Sequence, residues 1–177
     1  EILSHPGFRA ASAKGGPPGG GGGPVAGRVV VDLGAGVGRL VLKAVLGHGA
    51  ALGIGVELSP TRWLAGCSAL RQLDLLLREP SRRPRTASGT VELRFGDILE
   101  ADVSDATNVL IFATCFPSAT LRALQRKLLR ELPPGARMFI AGDRGVWQAD
   151  LETASVLSTV AALASGATGP LARRRMA

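Results

Sequence analysis

The sequence predicts an α/β fold in which a mostly parallel sheet carries helices on both faces. Short apolar runs alternate with longer segments of helical periodicity, which is typical of a parallel sheet with crossover helices. The first run, Val29 to Leu33, is β-branched and apolar on both faces, as a strand at the centre of such a sheet must be. A glycine-rich turn follows this run directly.

Composition divides the 177 residues into three parts. Residues 1–25 predict a flexible segment, because the glycine and proline of residues 11–24 cannot form a packed core. Residues 26–165 are expected to form one folded domain, and residues 166–177 a basic tail. Apolar residues make up 46% of the chain, which is enough for a core and argues against a disordered domain.

Five parallel strands and three helices are predicted within the folded domain. Ser59 is a suitable N-cap for the second helix, and Pro60 occupies the favoured first helical position. The pattern weakens after Asp143, so the C-terminal hairpin of the sheet is the part expected to be incomplete, and residues 146–160 are its candidate. The predicted strands begin at Val29, Ala51, Val91, Val109 and Arg137, and the predicted helices run from Arg39 to Leu46, from Pro60 to Arg78 and from Ala119 to Leu132.

Several classes of protein are disfavoured by simple patterns. No apolar run approaches the roughly 18 to 20 residues that cross a bilayer, and the N-terminus lacks a signal-peptide pattern, so no membrane partner is expected. Cys67 and Cys115 lie on separate predicted elements and form neither a disulfide nor a zinc pattern, so no metal is expected. We therefore expect an intracellular protein, with nucleus, mitochondrion and cytoplasm all open.

The formal net charge of +7 is concentrated in two basic runs. One run is Arg82-Arg83-Pro84-Arg85, and the other is Arg173-Arg174-Arg175. Such runs attract nucleic acid or an acidic protein surface, and nucleic-acid contact is one expectation. A solvated loop and a solvated tail are the alternative that the sequence leaves open.

The turn from Asp32 to Gly38 is the main candidate for a ligand site. Glycine lets the backbone bend sharply and lets a ligand approach the main chain closely, so Gly34, Gly36 and Gly38 are predicted to bind a cofactor. The dinucleotide fingerprint requires its third glycine three residues after the second. Here that position is Arg39, and the glycine comes one residue early.

Asp32 indicates which ligand the turn accepts. A carboxylate would repel the pyrophosphate of a dinucleotide, whereas S-adenosylmethionine presents an ammonium and a sulfonium. The carboxylate would attract that ammonium directly or through water. The charge therefore favours methyl transfer over hydride transfer, with no ligand at all as the remaining alternative.

Two further acidic residues follow predicted strands. Glu57 closes the second strand, where a carboxylate can accept hydrogen bonds from both ribose hydroxyls. Asp97 follows the third strand and is placed to accept from an adenine amino group, while Ile98 is expected to pack on the ring. Because ligands of such sheets bind at the carboxyl ends of the strands, these residues are predicted to share one site with Asp32.

Together these residues resemble the class I S-adenosylmethionine-dependent methyltransferases, whose sheet is Rossmann-like. More narrowly, they resemble the non-SET histone-lysine methyltransferases known for disrupting telomeric silencing. Residues 31–38 are similar to the family's V-D-L-G-S-G-V-G, Gly55-Val56-Glu57 to its G-V-E, and residues 96–99 to its G-D-F-L. Mitochondrial lysine methyltransferases share the spacing at Asp32 to Arg39 and at Gly55 to Pro60.

The resemblance also assigns roles after the fourth strand. The family has V-N-N-F where this chain has Ala113-Thr114-Cys115-Phe116, so Thr114 and Cys115 replace two asparagines. It implies that Leu58, Phe112 and Thr114 contact the cofactor. It also implies that Thr114, Cys115 and Phe116 form the wall of the acceptor channel.

The expected function is S-adenosylmethionine-dependent methyl transfer to a protein lysine, with a histone in chromatin as the favoured acceptor. Such a transfer is an in-line displacement that depends mainly on alignment and removal of water, and the sequence names no catalytic base. Two alternatives stay open. One is a methyltransferase for a small molecule or a nucleic acid, and the other is a degenerate fold that only binds.

Overall fold

The computed structural model describes residues 28–82, 84 and 89–142, together with the backbone of two further strands. Within this part of the chain, seven strands form one sheet, which three α-helices accompany. Two single-turn 3-10 helices are also present, Pro80–Arg82 and Ala113–Cys115. The helices are α1 (Arg39–His48), α2 (Pro60–Leu77) and α3 (Ser118–Glu131). The strands are β1 (Leu3–Arg9), β2 (Val29–Leu33), β3 (Leu52–Glu57), β4 (Thr90–Phe95), β5 (Asn108–Phe112), β6 (Arg137–Ala141) and β7 (Val160–Leu163).

The prediction of a mostly parallel sheet is confirmed. The strand order is β1-β4-β3-β2-β5-β6-β7, and β2 to β6 are the five predicted strands, which are all parallel to one another. β7 is parallel to β6, whereas β1 is antiparallel to β4 at the opposite edge. The chain adds β3 and β4 on one side of β2 and then β5 and β6 on the other. The strand order therefore reverses between β2 and β5, where such sheets bind ligands.

The expectation of a flexible segment over residues 1–25 is wrong for Leu3–Arg9, which form β1. The register of β1 against β4 is broken between His5 and Phe8, and an edge strand tolerates such an interruption around a proline. Residues 10–27, the predicted hairpin region before Val160 and the predicted basic tail lie outside the described residues.

Two apolar layers hold the helices on opposite faces of the sheet. On one face, α1 and α2 bury Val41, Val45 and Leu70 against Val30 and Val91. On the other, four leucines of α3 and its C-terminal end pack into a larger cluster, namely Leu121, Leu124, Leu128 and Leu132. No helix among the described residues is long and apolar enough to cross a membrane.

The helix ends follow the local sequence. Ser59 Oγ accepts a hydrogen bond from the Arg62 amide at 3.4 Å, and Pro60 begins α2 as predicted. α1 extends two residues beyond the predicted Leu46, because Gly49 adopts the left-handed conformation only there and ends the helix. These ends place the N-termini of α1 and α2 at the carboxyl edge of the sheet.

Candidate cofactor site

The predicted site residues meet at the carboxyl ends of four neighbouring strands. Asp32 lies near the end of β2, and Glu57 is the last residue of β3. Glu57 pairs in register with Phe95, two residues before Asp97, and the Gly96 amide donates to the Glu57 carbonyl at 3.1 Å. The end of β5 lies on the other side of β2. The sheet therefore brings the acidic residues to one rim, as the sequence predicts.

The glycine-rich turn is anchored to β3 and needs its glycines. The amides of Gly34 and Ala35 both donate to the Val56 carbonyl at 2.9 Å. Gly34, Gly36 and Gly38 have φ angles of 90°, 59° and 81°, which disfavour any residue with a Cβ. A Cβ on Gly36 would meet nothing within 4 Å, so the turn faces open space there.

Glu57 organises the rim through four hydrogen bonds. Its Oε2 accepts from the Gly36 amide at 2.8 Å, which ties the turn to β3. Its Oε1 accepts from the Ser59 amide at 2.8 Å and from Nη2 and Nε of Arg62 at 2.9 and 3.2 Å. Arg62 is 64% exposed and can swing away, whereas Glu57 is only 5% exposed in its side chain. The Glu57 Oε2 atom thus accepts one hydrogen bond, whereas Oε1 is occupied in part by an exposed arginine.

Asp32 is a carboxylate buried at the rim. It is 2% exposed, and its Oδ1 has no hydrogen-bond partner among the described residues. Burial, with a smaller contribution from the negative charge of Glu57, raises the pKa of Asp32 from 3.8 to about 7. Such an orphaned acceptor is unfavourable unless another group completes it. A cationic donor beside Asp32 would do so.

Asp97 and Ile98 differ in how they fit their predicted roles. Asp97 is partly exposed, and its Oδ1 accepts from the Leu99 amide at 2.9 Å, which fixes the turn after β4. Ile98 is buried in the core cluster beneath α3 and is only 4% exposed. The expectation that its side chain packs on an open ring surface does not fit this burial.

The segment after β5 forms the opposite wall of the rim. Phe112 is 48% exposed, and Thr114 and Cys115 are exposed in the 3-10 helix that follows it. The ring of Phe116 lies so close to Gly34 that a Cβ there would be 2.8 Å from it. The predicted acceptor wall and the glycine-rich turn are therefore neighbours.

Apolar side chains remain uncovered around this rim. Leu58 is 63% exposed, and Val37 and Phe112 are also well exposed. Leu58 directly follows β3, Val37 lies in the glycine-rich turn and Phe112 is the last residue of β5, which makes the edge of the site apolar around a polar centre. This combination is typical of small-molecule sites.

Sequence reasoning missed two contributors to the site. Arg62 lies in the first turn of α2, five residues after Glu57. This short separation was the sequence signal that its side chain could reach the Glu57 carboxylate. Gly142 follows β6 with a φ of 123°, and a Cβ there would be 2.8 Å from the Thr114 nitrogen. No local pattern indicated this second contact, because it joins two strand ends.

The arrangement fits S-adenosylmethionine in three respects. The unpaired oxygen of Asp32 can receive an ammonium, and the free capacity of Glu57 can receive ribose hydroxyls. The open space at Gly36 lets a ligand approach the main chain. Among the described residues, no group of three or more His, Cys, Asp or Glu side chains could hold a metal ion.

Comparison with solved structures gives the same fold. A chain of the RNA methyltransferase from Salinibacter ruber, in complex with S-adenosyl-L-homocysteine, is 29% identical to this chain with a TM-score of 0.52. That match covers 70% of this chain and 71% of the other. No family model matches the sequence, and no curated protein matches it.

Two further structures are less similar. A tRNA methyltransferase from B. subtilis is 21% identical with a TM-score of 0.47, over 64% of this chain and 43% of that chain. An S-adenosylmethionine-dependent methyltransferase from Mesorhizobium loti is 22% identical with a TM-score of 0.44, over 63% and 44%. This chain thus spans less than half of either protein. The fold prediction is confirmed at the level of class I methyltransferases, while the narrower resemblance to histone-lysine enzymes stays a prediction.

Proposed function

We propose that this chain transfers the methyl group of S-adenosylmethionine to an acceptor at the rim formed by β2, β3, β4 and β5. The observation that carries the proposal is the buried Asp32, whose Oδ1 has no hydrogen-bond partner among the described residues, beside a glycine-rich turn that faces open space. The similarity to the S-adenosyl-L-homocysteine complex of an RNA methyltransferase supports the same cofactor.

In this proposal, the chain's own residues bind the cofactor and align it with the acceptor. Asp32 would hold the ammonium, Glu57 the ribose hydroxyls and Asp97 the adenine amino group, while Leu58 and Phe112 shield the ligand from water. The cofactor, when bound, supplies an electrophilic methyl on a sulfonium. The acceptor lone pair would form the new bond to carbon while the carbon–sulfur bond breaks, with that electron pair left on sulfur. Alignment and exclusion of water contribute most of the acceleration of such a displacement.

For the acceptor, we propose a protein lysine, with a histone favoured. A lysine must lose its proton before it can attack, and an apolar, uncharged wall favours the neutral amine. Residues 113–117 contain no acidic side chain that would keep the amine charged. They also lack the N-P-P-[YF] type motif, whose first side chain accepts a hydrogen bond from an exocyclic base amine.

RNA is a second candidate acceptor because the matched protein from Salinibacter ruber is an RNA methyltransferase. The net charge of +7 agrees with an anionic partner. Arg82 is exposed and paired with Glu79, while Arg83, Arg85 and the tail run lie outside the described residues. Contact through the basic runs is therefore a proposal in either case, as is an intracellular, nuclear location.

Two measurements test these proposals in turn. Calorimetric titration with S-adenosylhomocysteine tests the cofactor site, and heat-silent titrations with no thermal stabilisation would refute it. Transfer of a labelled methyl group to histone octamers, nucleosomes and total RNA then tests the acceptor. Label in histone, removed by protease, supports lysine, whereas label removed by ribonuclease identifies RNA. Binding without transfer to any acceptor would point to a binding module.

A further inference from the structure

α3 carries a row of arginines on its solvent-facing side. Arg122, Arg126 and Arg130 recur every four residues and are all exposed, whereas three leucines of the same helix are buried against the sheet. Residues four apart in a helix lie on the same side, one turn after the other. The three guanidinium groups therefore form one continuous basic row, hereafter the α3 ridge.

The stability of the helix does not explain the α3 ridge. Like charges four residues apart destabilise a helix, and the ridge contains two such pairs, Arg122 with Arg126 and Arg126 with Arg130. The only acidic residue of α3 is Glu131, whose Oε1 accepts a hydrogen bond from Arg130 at 2.8 Å. Arg122 and Arg126 form no ion pair within the described part of the chain. Their two positive charges are therefore available to an external anion.

The exposed side of α3 suits a nucleic-acid strand better than a protein surface. Its other exposed residues are Ser118 and Ala119, so no large apolar side chain is exposed there to anchor a protein partner. Guanidinium groups bind phosphate through paired N–H donors. Successive arginines of the ridge are about 6 Å apart along the helix axis, which lets each reach a different phosphate of a strand that runs beside the helix.

The α3 ridge begins beside the predicted acceptor wall. α3 starts at Ser118, directly after residues 113–117, and Arg122 follows one turn later. The helix then runs away from the rim, because it returns the chain to the start of β6. A strand bound along the ridge would therefore have one end close to the carboxyl edge of the sheet, where the cofactor is proposed to bind.

We propose that the α3 ridge binds the phosphate backbone of a single-stranded RNA. Arg122 and Arg126 supply most of the positive charge, with a smaller share from Arg130, which already has an acidic partner. This surface is distinct from the basic runs at residues 82–85 and 173–175. That the bound strand is also the methyl acceptor rests on the proposed function, whereas the binding itself does not.

Phosphate contacts determine how strongly such binding depends on salt. For a single strand, each neutralised phosphate contributes about 0.7 to the slope of log affinity against log salt concentration. The two fully available arginines should therefore contribute about 1.4 to that slope. Because both side chains are exposed, the two contacts together should strengthen binding by only about five- to tenfold at low salt.

Fluorescence anisotropy of a labelled oligouridine, titrated with the full chain at several salt concentrations, tests the proposal. Arg122→Gln/Arg126→Gln should bind about five- to tenfold more weakly at low salt, with a salt slope lower by about 1.4. Arg122→Lys/Arg126→Lys keeps both charges and should keep the slope. Thermal unfolding checks the fold, and the glutamine variant should be no less stable than the wild type, because it loses like-charge neighbours.

The matched control is Lys43→Gln/Arg71→Gln, which removes the same two charges from exposed positions of α1 and α2 on the other face of the sheet. It should keep nearly the wild-type affinity and slope. Equal losses in the two glutamine variants would show a dependence on net charge alone and overturn the proposal, as would a wild-type chain that does not bind oligouridine. A glutamate-rich peptide that binds as tightly through the same two arginines would assign the ridge to an acidic protein, and the RNA proposal would be wrong.

Calorimetric titration with S-adenosylhomocysteine in the absence of RNA separates this inference from the proposed function. Both glutamine variants should bind it like the wild type, because the altered side chains are exposed and lie outside the cofactor site. A wild-type chain that binds oligouridine but not S-adenosylhomocysteine would refute the proposed function and support the α3 ridge. The opposite pair of results would refute the ridge and leave the cofactor site standing.

Discussion

Replacing Asp32 by asparagine should make the protein more stable at alkaline pH. The pKa of Asp32 is raised from 3.8 to about 7, so the folded state holds a proton that the unfolded state has lost between these values. The wild-type protein therefore loses stability as the pH rises from about 4 to about 7. At about 1.36 kcal/mol per pH unit, the loss approaches about 4 kcal/mol above pH 7. The asparagine carries no charge and avoids this loss.

The same substitution should weaken cofactor binding. S-adenosylhomocysteine has the ammonium that we place beside Asp32, and a hydrogen bond between charged groups contributes about 1.5–3 kcal/mol. The expected loss is therefore about tenfold to 150-fold in Kd. In the wild-type protein the ammonium favours the ionised carboxylate, so affinity should rise with pH up to about 7 and then level off. In Asp32→Asn this dependence should disappear.

Thermal unfolding and calorimetric titration across pH 5 to pH 9, roughly the range around the raised pKa, measure both effects. Asp105→Asn removes one carboxylate from an exposed position and should change neither profile. The reasoning is refuted if Asp32→Asn is less stable than the wild type at alkaline pH. It is also refuted if the variant keeps the wild-type affinity and its pH dependence.

Three further substitutions separate binding from folding. Gly36→Ala should weaken S-adenosylhomocysteine binding about tenfold or more, because its Cβ enters the space for the ligand. Gly135→Ala is the control, because Gly135 also has a positive φ and open surroundings. Each of the two glycine substitutions should cost about 1–2 kcal/mol of stability, but Gly135→Ala should leave the affinity unchanged. Equal affinities of the two variants would contradict the assignment of Gly36 to the ligand site. Glu57→Gln should weaken binding by roughly 1.5–3 kcal/mol, whereas Glu92→Gln, at an ion pair within β4, should leave affinity unchanged in the same titration. Arg62→Met should tighten binding by about two- to fivefold. The ion pair between Arg62 and Glu57 competes with the ligand for the carboxylate, and an exposed pair contributes up to about 1 kcal/mol. Weaker binding would show that Arg62 supports the ligand instead.

Local patterns were enough to predict the centre of the fold and the acidic rim. A strand apolar on both faces identifies the middle of a parallel sheet, and the carboxyl ends of such strands share one edge. Asp32, Glu57 and Asp97 could therefore be grouped without knowing any distance. Ser59 and Pro60 similarly located the start of α2, because capping depends only on neighbouring residues.

The features that the sequence did not predict depend on contacts between distant segments or on side-chain direction. β1 pairs with β4 across a separation of more than 80 residues. Its own sequence contains too little alternation of apolar and polar residues to predict an edge strand. Ile98 lies one residue after Asp97, but its side chain turns into the core under α3, which the sequence of one turn does not determine. The contact of Gly142 with Thr114 joins two strand ends in the same way.

The rim concentrates local structure that is costly in the isolated chain. Asp32 is buried and its Oδ1 has no partner in the described part of the chain. Gly34, Gly36 and Gly38 have positive φ angles, and Leu58 is exposed. Among the described residues, the other buried side-chain atom without a partner is Nε2 of Gln125, in the middle of α3. A sequence selected only for stability would remove most of these features, because each opposes a general rule of packing or backbone geometry. One cationic, hydroxyl-bearing ligand would complete the carboxylate, use the glycine turn and cover the leucine together. The physical argument for a cofactor at this rim is that one ligand would satisfy all of these features at once, and no single residue makes the argument alone.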